Sequence, residues 1–155
     1  MTFKFTFTVR APIESVAAFH RDTQALRKLV APPVIVKPHT LEPMGEGSIS
    51  DFTLWFGPIP VHWVAQHSRV DELRGFTDTQ VRGPMKRWIH SHKFSAVSTD
   101  LTRIEENIEY EHFQGLRGVF SRILFSSIGL RITFLYRKTV TCRLLEPKSL
   151  GSQDI

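Results

Sequence analysis

Residues 76–94 place unusual chemistry on a short-period pattern: Phe76, Asp78 and Gln80, then Gly83-Pro84, then Trp88, His90, His92 and Phe94. Every second side chain of a strand points to the same face, so Trp88, His90, His92 and Phe94 form one row. Phe76, Asp78 and Gln80 form a facing row across the turn. Imidazoles, a carboxylate and an amide among aromatics are not the composition of a plain core, because each buried polar atom needs a partner. They suit the wall of a ligand cavity. The next alternating segment, 102–113, offers Ile104, Glu106, Ile108, Tyr110 and His112 to the same side, which brings Glu106 and Tyr110 towards the imidazoles. A carboxylate beside a histidine holds one tautomer and raises its pKa, so the pair can move a proton near neutral pH. The same pairing also serves a polar network that only sets strand register, or a polar anchor for a ligand. The candidate catalytic groups are therefore His90, His92 and Glu106. The candidate ligand contacts are Trp63, Phe76, Asp78, Gln80, Trp88, His90, His92, Glu106, Tyr110 and Phe120.

Other chemistries fit less well. Two imidazoles roughly 7 Å apart at Cα, with Asp78 or Glu106, could supply three or four ligands to one ion. No His-Glu-x-x-His motif or cysteine pair accompanies them, so neither a metal nor a cofactor is expected. Arg82 flanks the turn and is expected either to bridge Asp78 or Glu106 or to receive a ligand carboxylate. Gly-x-Ser-x-Gly and glycine-rich phosphate loops are absent, which argues against covalent hydrolysis and nucleotide chemistry. Trp55, Phe56, Trp63 and the Phe120 region read as core or cavity wall. His62 should face solvent opposite Trp63, while His67 shares the parity of Trp63.

The elements that must position these residues are legible in the patterning. At 155 residues, 41% hydrophobic and 23% charged, the chain suits one packed domain over residues 1–147, with a disordered tail after Pro147. The net charge of +5 is scattered without a block of like charges, and no nucleic-acid motif is present, so no nucleic-acid partner is expected. The single Cys142 and the absence of a signal-peptide pattern or apolar span make the cytoplasm the default location. A monomer or homodimer is expected.

Phe3, Phe5, Phe7 and Val9 alternate with Lys4, Thr6, Thr8 and Arg10, the pattern of a half-buried strand. A short helix from Pro12 to about Phe19 and a second ending at Leu29 follow, the latter stopped by Pro32-Pro33. Six strand segments then run from Val34 to Phe113, joined by turns too short for parallel crossovers, so sequential antiparallel pairing is expected. From Val119, apolar residues recur at three-to-four spacing through Ile123, Ile128, Ile132, Leu135 and Thr139. This predicts a long C-terminal helix, bent near Gly129, with Arg131, Arg137 and Lys138 away from its apolar stripe. The class is α+β, a curved antiparallel sheet of about seven strands around a long helix. One helix cannot fill such a sheet along its whole length, so a cavity is expected between them.

Phe7-Thr-Val-Arg-Ala-Pro-Ile-Glu-Ser-Val-Ala-Ala-Phe19, Trp63, Phe76-Thr-Asp78, Arg82-Gly-Pro84, Trp88-Ile-His90-Ser-His92-Lys-Phe94 and the segment 102–110 resemble the START/Bet v 1-like (SRPBCC, helix-grip) superfamily. Within it they are most similar to an uncharacterised bacterial ligand-binding group labelled polyketide cyclase/dehydrase-like. The resemblance covers the chain to about Pro147. It implies an interior cavity that binds a small hydrophobic or amphipathic molecule. The alternative it implies is a cyclase or dehydratase using histidine and carboxylate acid-base chemistry. A surface-binding role for the basic C-terminal helix is a third reading.

Overall fold

The alternation Phe3, Phe5, Phe7, Val9 becomes strand β1 (Thr2–Val9), which turns its aromatic face inward and its Lys4, Thr6 and Thr8 face to solvent. The computed structural model describes residues 1–147. The expected tail lies outside them. After β1 come α1 (Ile13–Arg21) and α2 (Ala25–Leu29), then β2 (Ile35–Leu41), β3 (Ile49–Phe56), β4 (Ile59–Asp71), β5 (Gly75–Arg82), β6 (Arg87–Ser98) and β7 (Leu101–Glu111). A single 3₁₀ turn, Leu116–Gly118, leads into α3 (Val119–Leu124) and α4 (Ser127–Leu145). The seven strands form one sheet in the order β1-β7-β6-β5-β4-β3-β2, and every pairing is antiparallel. This is the α+β arrangement expected from the pattern, with β1 returning to pair with β7 beside α4.

Two apolar clusters hold the sheet to the helices. Phe52, Trp63, Trp88, Ile108, Tyr110, Leu130 and Phe134 build one, and Phe7, Val9, Val16, Phe76, Phe94 and Ile104 the other. Along β6, Trp88 belongs to the first and Phe94 to the second, with His90 and His92 between them. Along β7, Ile108 and Ile104 flank Glu106 in the same way. The polar residues thus sit at a seam between two greasy masses, where they partner one another.

The C-terminal helix differs from its expectation in two respects. It is not one helix bent near Gly129: α3 ends at Leu124, and α4 restarts with Ser126 as its N-cap, whose hydroxyl accepts from the Gly129 amide at 3.1 Å. A serine cap satisfies an orphan helix donor, which favours a fresh start over continuation. The stripe read across this break does not face the sheet on either side of it. Ile123, Ile128, Ile132 and Leu135 are exposed, and Leu130, Phe134 and Thr141 are buried. Phe134 sets the inward face by packing on Phe3 and Phe5 at ring distances of 5.3 and 5.9 Å. In consequence Arg137, one turn beyond Phe134, points inward instead of to solvent. Among the described residues no helix is long and apolar enough to cross a membrane.

Candidate functional site

A cavity of about 250 Å³ lies between the concave face of β3–β6 and the helices α1, α2 and α4. Its wall is largely apolar: Leu26, Leu29, Leu41, Phe52, Leu54, Phe56, Trp63, Phe76, Trp88, Phe125, Leu130 and Phe134. Trp63 and Trp88 meet edge to face at 5.4 Å, and Phe125, between α3 and α4, closes against both at 5.8 and 5.6 Å. The polar part of the wall includes the group His20, His67, Asp78, His90, His92 and Arg137, with Arg21, Asp22, Thr23, Glu42, Ser50 and Thr133 elsewhere in the lining.

Sheet register assembles this polar end. Phe76 lies opposite His92 and Asp78 opposite His90 across β5 and β6, while His92 lies opposite Glu106 across β6 and β7. The result is a chain of alternating imidazoles and carboxylates. His67 Nε2 is 3.1 Å from Asp78 Oδ1, and His92 Nε2 donates to Asp78 Oδ2 at 3.1 Å. His92 Nδ1 is 2.8 Å from Glu106 Oε2 in a charge contact, and His90 Nε2 donates to the same oxygen at 2.7 Å. Gly75 makes the close approach of β5 to β6 possible: its φ of +123° suits glycine, and a Cβ there would stand 1.9 Å from the His92 carbonyl oxygen.

The surroundings separate the four histidines of the cavity wall into two kinds. Burial opposes charge on His92, but the carboxylates of Glu106 and Asp78 outweigh it and hold the imidazole up at about 9. His67 is also raised, because its bond and charge contact with Asp78 outweigh its burial. Burial, reinforced by charge on His92, pushes His90 down to about 4 against the pull of Glu106. Burial likewise pushes His20 down to about 4. Although burial alone would raise both carboxylates, Asp78 is held well below its usual range by His67 and His92, and Glu106 by His92 and His90. At neutral pH the site therefore contains ionised Asp78 and Glu106, a charged His92 and neutral His90 and His20.

These protonation states fix the available lone pairs. His90 donates through Nε2 to Glu106, so Nδ1 carries the lone pair on a ring that lines the cavity. His20 gives Nδ1 to the Val16 carbonyl at 2.9 Å, leaving Nε2 as its acceptor. Arg137 adds a cation over the Phe134 ring at 5.1 Å, and its buried Nε has no hydrogen-bond partner. Asp78, His90 and His92 stand close enough to share a metal ion, but the imidazole nitrogens that face the carboxylates are engaged by them.

The candidate ligand contacts divide by position. Trp63, Phe76, Asp78, Trp88, His90 and His92 line the cavity. Glu106 lies behind the imidazoles as their acceptor. Gln80 is a turn brace, donating from Nε2 to the Met85 carbonyl at 2.8 Å and accepting from the Met85 amide at 3.3 Å. Tyr110 is buried in the apolar cluster beside Trp88, and Phe120 rests edge-on against Phe56 outside the wall. Arg82 reaches neither expected partner: it is exposed at the end of β5, and the carboxylates are taken by histidines. His62, expected to be solvent-facing, is half-buried on the outer face against Asp51. Sequence reasoning missed His20 and Arg137. His20 stands one helical turn after the buried Val16, and Arg137 follows Leu130 and Phe134 at seven- and three-residue spacing, so helical spacing was the signal available for both.

No family model matches the chain, and no curated protein matches it in sequence. Solved structures do match in shape over nearly its whole length. A Chromobacterium violaceum protein aligns with 96% of this chain and 99% of its own at a TM-score of 0.75 and 16% identity. An aromatase/cyclase from a Streptomyces species covers 100% and 99% at 0.75 and 14%. Norcoclaurine synthase from Thalictrum flavum, in complex with dopamine and hydroxybenzaldehyde, covers 96% and 88% at 0.68 and 16%. Together with the sheet order and the position of α4, these likenesses show that the chain has the START/Bet v 1-like (SRPBCC) helix-grip fold.

Proposed function

We propose that the protein binds a small amphipathic molecule in this cavity. The observation that carries the reading is a cavity wall with an aromatic and aliphatic body and a buried cluster of polar groups, His67, Asp78, His90, His92 and Arg137, gathered on it. Apolar area supplies affinity, and a few fixed polar groups supply orientation. A volume of about 250 Å³ is at the small end of ligand pockets, which points to a compact ligand. Arg137, which lines the cavity, offers a cation to a ligand oxygen, and the lone pairs of His90 and His20 accept a hydroxyl or amine proton. The aromatic ligands in the norcoclaurine synthase complex are of this compact, amphipathic kind. Native mass spectrometry of protein from its own host, followed by denaturing extraction, tests the reading directly. A stoichiometric small molecule is the expected result. Protein that is empty from several growth conditions, and whose Trp63 and Trp88 fluorescence is unmoved by phenolic and short acyl probes, would overturn it.

A second reading is favoured by the Glu106–His90 pair. His90 is a neutral imidazole oriented by a buried carboxylate, placed as a general base. Burial and charge on His92 lower its pKa to about 4, where the sequence pairing alone predicted a raised one, so it is a weak base. In a cyclase- or dehydratase-type reaction, His90 would take a proton from a carbon beside a carbonyl. The electron pair would pass to the carbonyl oxygen, where the Arg137 guanidinium can stabilise it. His90→Gln, whose amide oxygen can still accept a ligand hydrogen bond but cannot act as a base, separates the two readings: a carrier keeps its ligand affinity, whereas an enzyme still binds substrate and loses turnover.

A further inference from the structure

The outer face of the cavity wall carries a second cluster that the cavity chemistry does not use. His39 on β2, Asp51 on β3 and His62 on β4 project from three adjacent strands, and one ligand atom from each lies within 4.8 Å of the others. His62 Nε2 is 2.7 Å from Asp51 Oδ1, and His39 Nε2 is 2.8 Å from the Thr53 hydroxyl. The two rings stand at 5.7 Å and 88°. Two imidazoles on one tetrahedral ion, with metal–nitrogen bonds of about 2 Å, bring their ring centres to about 5 Å, so the observed spacing needs only a small closure.

Backbone irregularity aims one of these ligands. The β2–β3 register shifts between Pro38 and Thr40, at His39. Val36 and Leu41 both pack inward, which strict alternation over five residues forbids. The bulge therefore switches the parity of β2 and leaves His39 outward, beside Asp51 and His62. Bulges commonly re-aim a side chain in this way.

We propose that His39, Asp51 and His62 form a binding site for a divalent first-row transition metal such as Zn²⁺, with water completing the coordination. Two imidazoles and one carboxylate suit zinc, nickel or copper better than magnesium or calcium. Thr53 is the neighbouring hydroxyl that holds His39 in the absence of an ion. The ion would clip edge strand β2 to β3 and β4. Their inner faces supply Leu41, Phe52 and Trp63 to the cavity, so the clip would stiffen that wall from behind.

Titration of tag-free, metal-stripped protein with ZnCl₂ in an isothermal calorimeter tests the site, with Co²⁺ absorption reporting the ligand geometry. We expect one ion per chain. Affinity should fall at least tenfold in His62→Gln, His39→Gln and Asp51→Asn, all on the outer face, with apo melting curves close to that of the parent. At a hundredfold excess over Kd, Zn²⁺ should raise the Tm by about 5–10 °C in the parent and not in His62→Gln. Binding weaker than millimolar, or binding of unchanged strength in all three variants, would overturn the site. The latter result would move the ion to the cavity cluster.

Discussion

Replacing Glu106 by Gln tests the electrostatics of the site at their most demanding point. Glu106 Oε2 faces both His90 Nε2 and His92 Nδ1, so the isosteric amide removes one charge from two contacts while keeping the packing. Against burial, Glu106 and Asp78 lift His92 from 6.5 to about 9. The folded state therefore keeps a proton that the unfolded chain releases above pH 6.5. The stabilisation is complete below pH 6.5 and is lost as the pH rises through about 9. A shift of about 2.5 pH units corresponds to about 3 kcal/mol, a large part of the roughly 5–15 kcal/mol that holds a domain together. His67 is shifted in the same direction and adds to the slope. Urea unfolding at pH 6, 7.5 and 9 should show the parent losing about 3 kcal/mol across this range. Glu106→Gln should start about 3–5 kcal/mol lower at pH 6, the loss expected when one partner of a buried ion pair is removed. It should also show a much flatter alkaline slope. A parent whose stability is constant from pH 6 to 9, or a variant that retains the parent slope, would refute the assignment of a charged His92 held by Glu106.

The acid side should be steep as well. His90 and His20 fold as neutral rings with pKa values lowered to about 4, so their contribution is complete above pH 6.5 and is lost as the pH falls towards 4, measurable by chemical unfolding at pH 4.5 and 6.5. The facing of α4 can be read by mutation: Phe134→Ala should cost about 3–5 kcal/mol, while Ile132→Thr on the outward face should stay within about 0.5 kcal/mol, both by thermal melts. Gly75→Ala should fold poorly or melt far below the parent, because the new methyl group meets the His92 carbonyl and the left-handed φ is lost to an L side chain. Gly47→Ala, with φ +79° but open space around it, should cost only about 1 kcal/mol.

What could be read from the chain beforehand follows from which interactions are periodic. Strand parity is a local property. The rows Trp88-His90-His92-Phe94 and Phe76-Asp78 therefore reach the same face, and β7 presents Ile104, Glu106, Ile108 and Tyr110 beside them. The order of β2 to β7 followed from turn lengths, whereas the pairing of β1 with β7 spans most of the chain and no turn announces it. Depth within the face is not periodic. Gln80 and Tyr110 share the inward parity of the site, yet one braces a turn and the other fills the core, because the cavity ends before it reaches them. Parity also cannot say which carboxylate serves which cation. Arg82 lies only four residues from Asp78 in sequence, but His67, fifteen residues before Arg82 and paired directly with Asp78 across β4–β5, takes that carboxylate instead.

The long C-terminal helix was legible, but not which of its faces docks. Within α4 both Ile128, Ile132 and Leu135 and the set Leu130, Phe134 and Thr141 recur at helical spacing, so apolar period alone does not choose between the two faces. Ile123, Ile128, Ile132 and Leu135 end on the outside, and the inward face falls to Leu130, Phe134, Arg137 and Thr141. A uniformly apolar stripe would have sealed the space under the helix. The face that docks instead brings a guanidinium to the polar end of the cavity, within the field of Glu106 and Asp78, and leaves its Nε without a protein acceptor. Desolvating such a donor without a partner is costly. A ligand oxygen beside the guanidinium would offset its desolvation, which makes Arg137 the point at which the packing of α4 and the chemistry of the proposed ligand constrain each other.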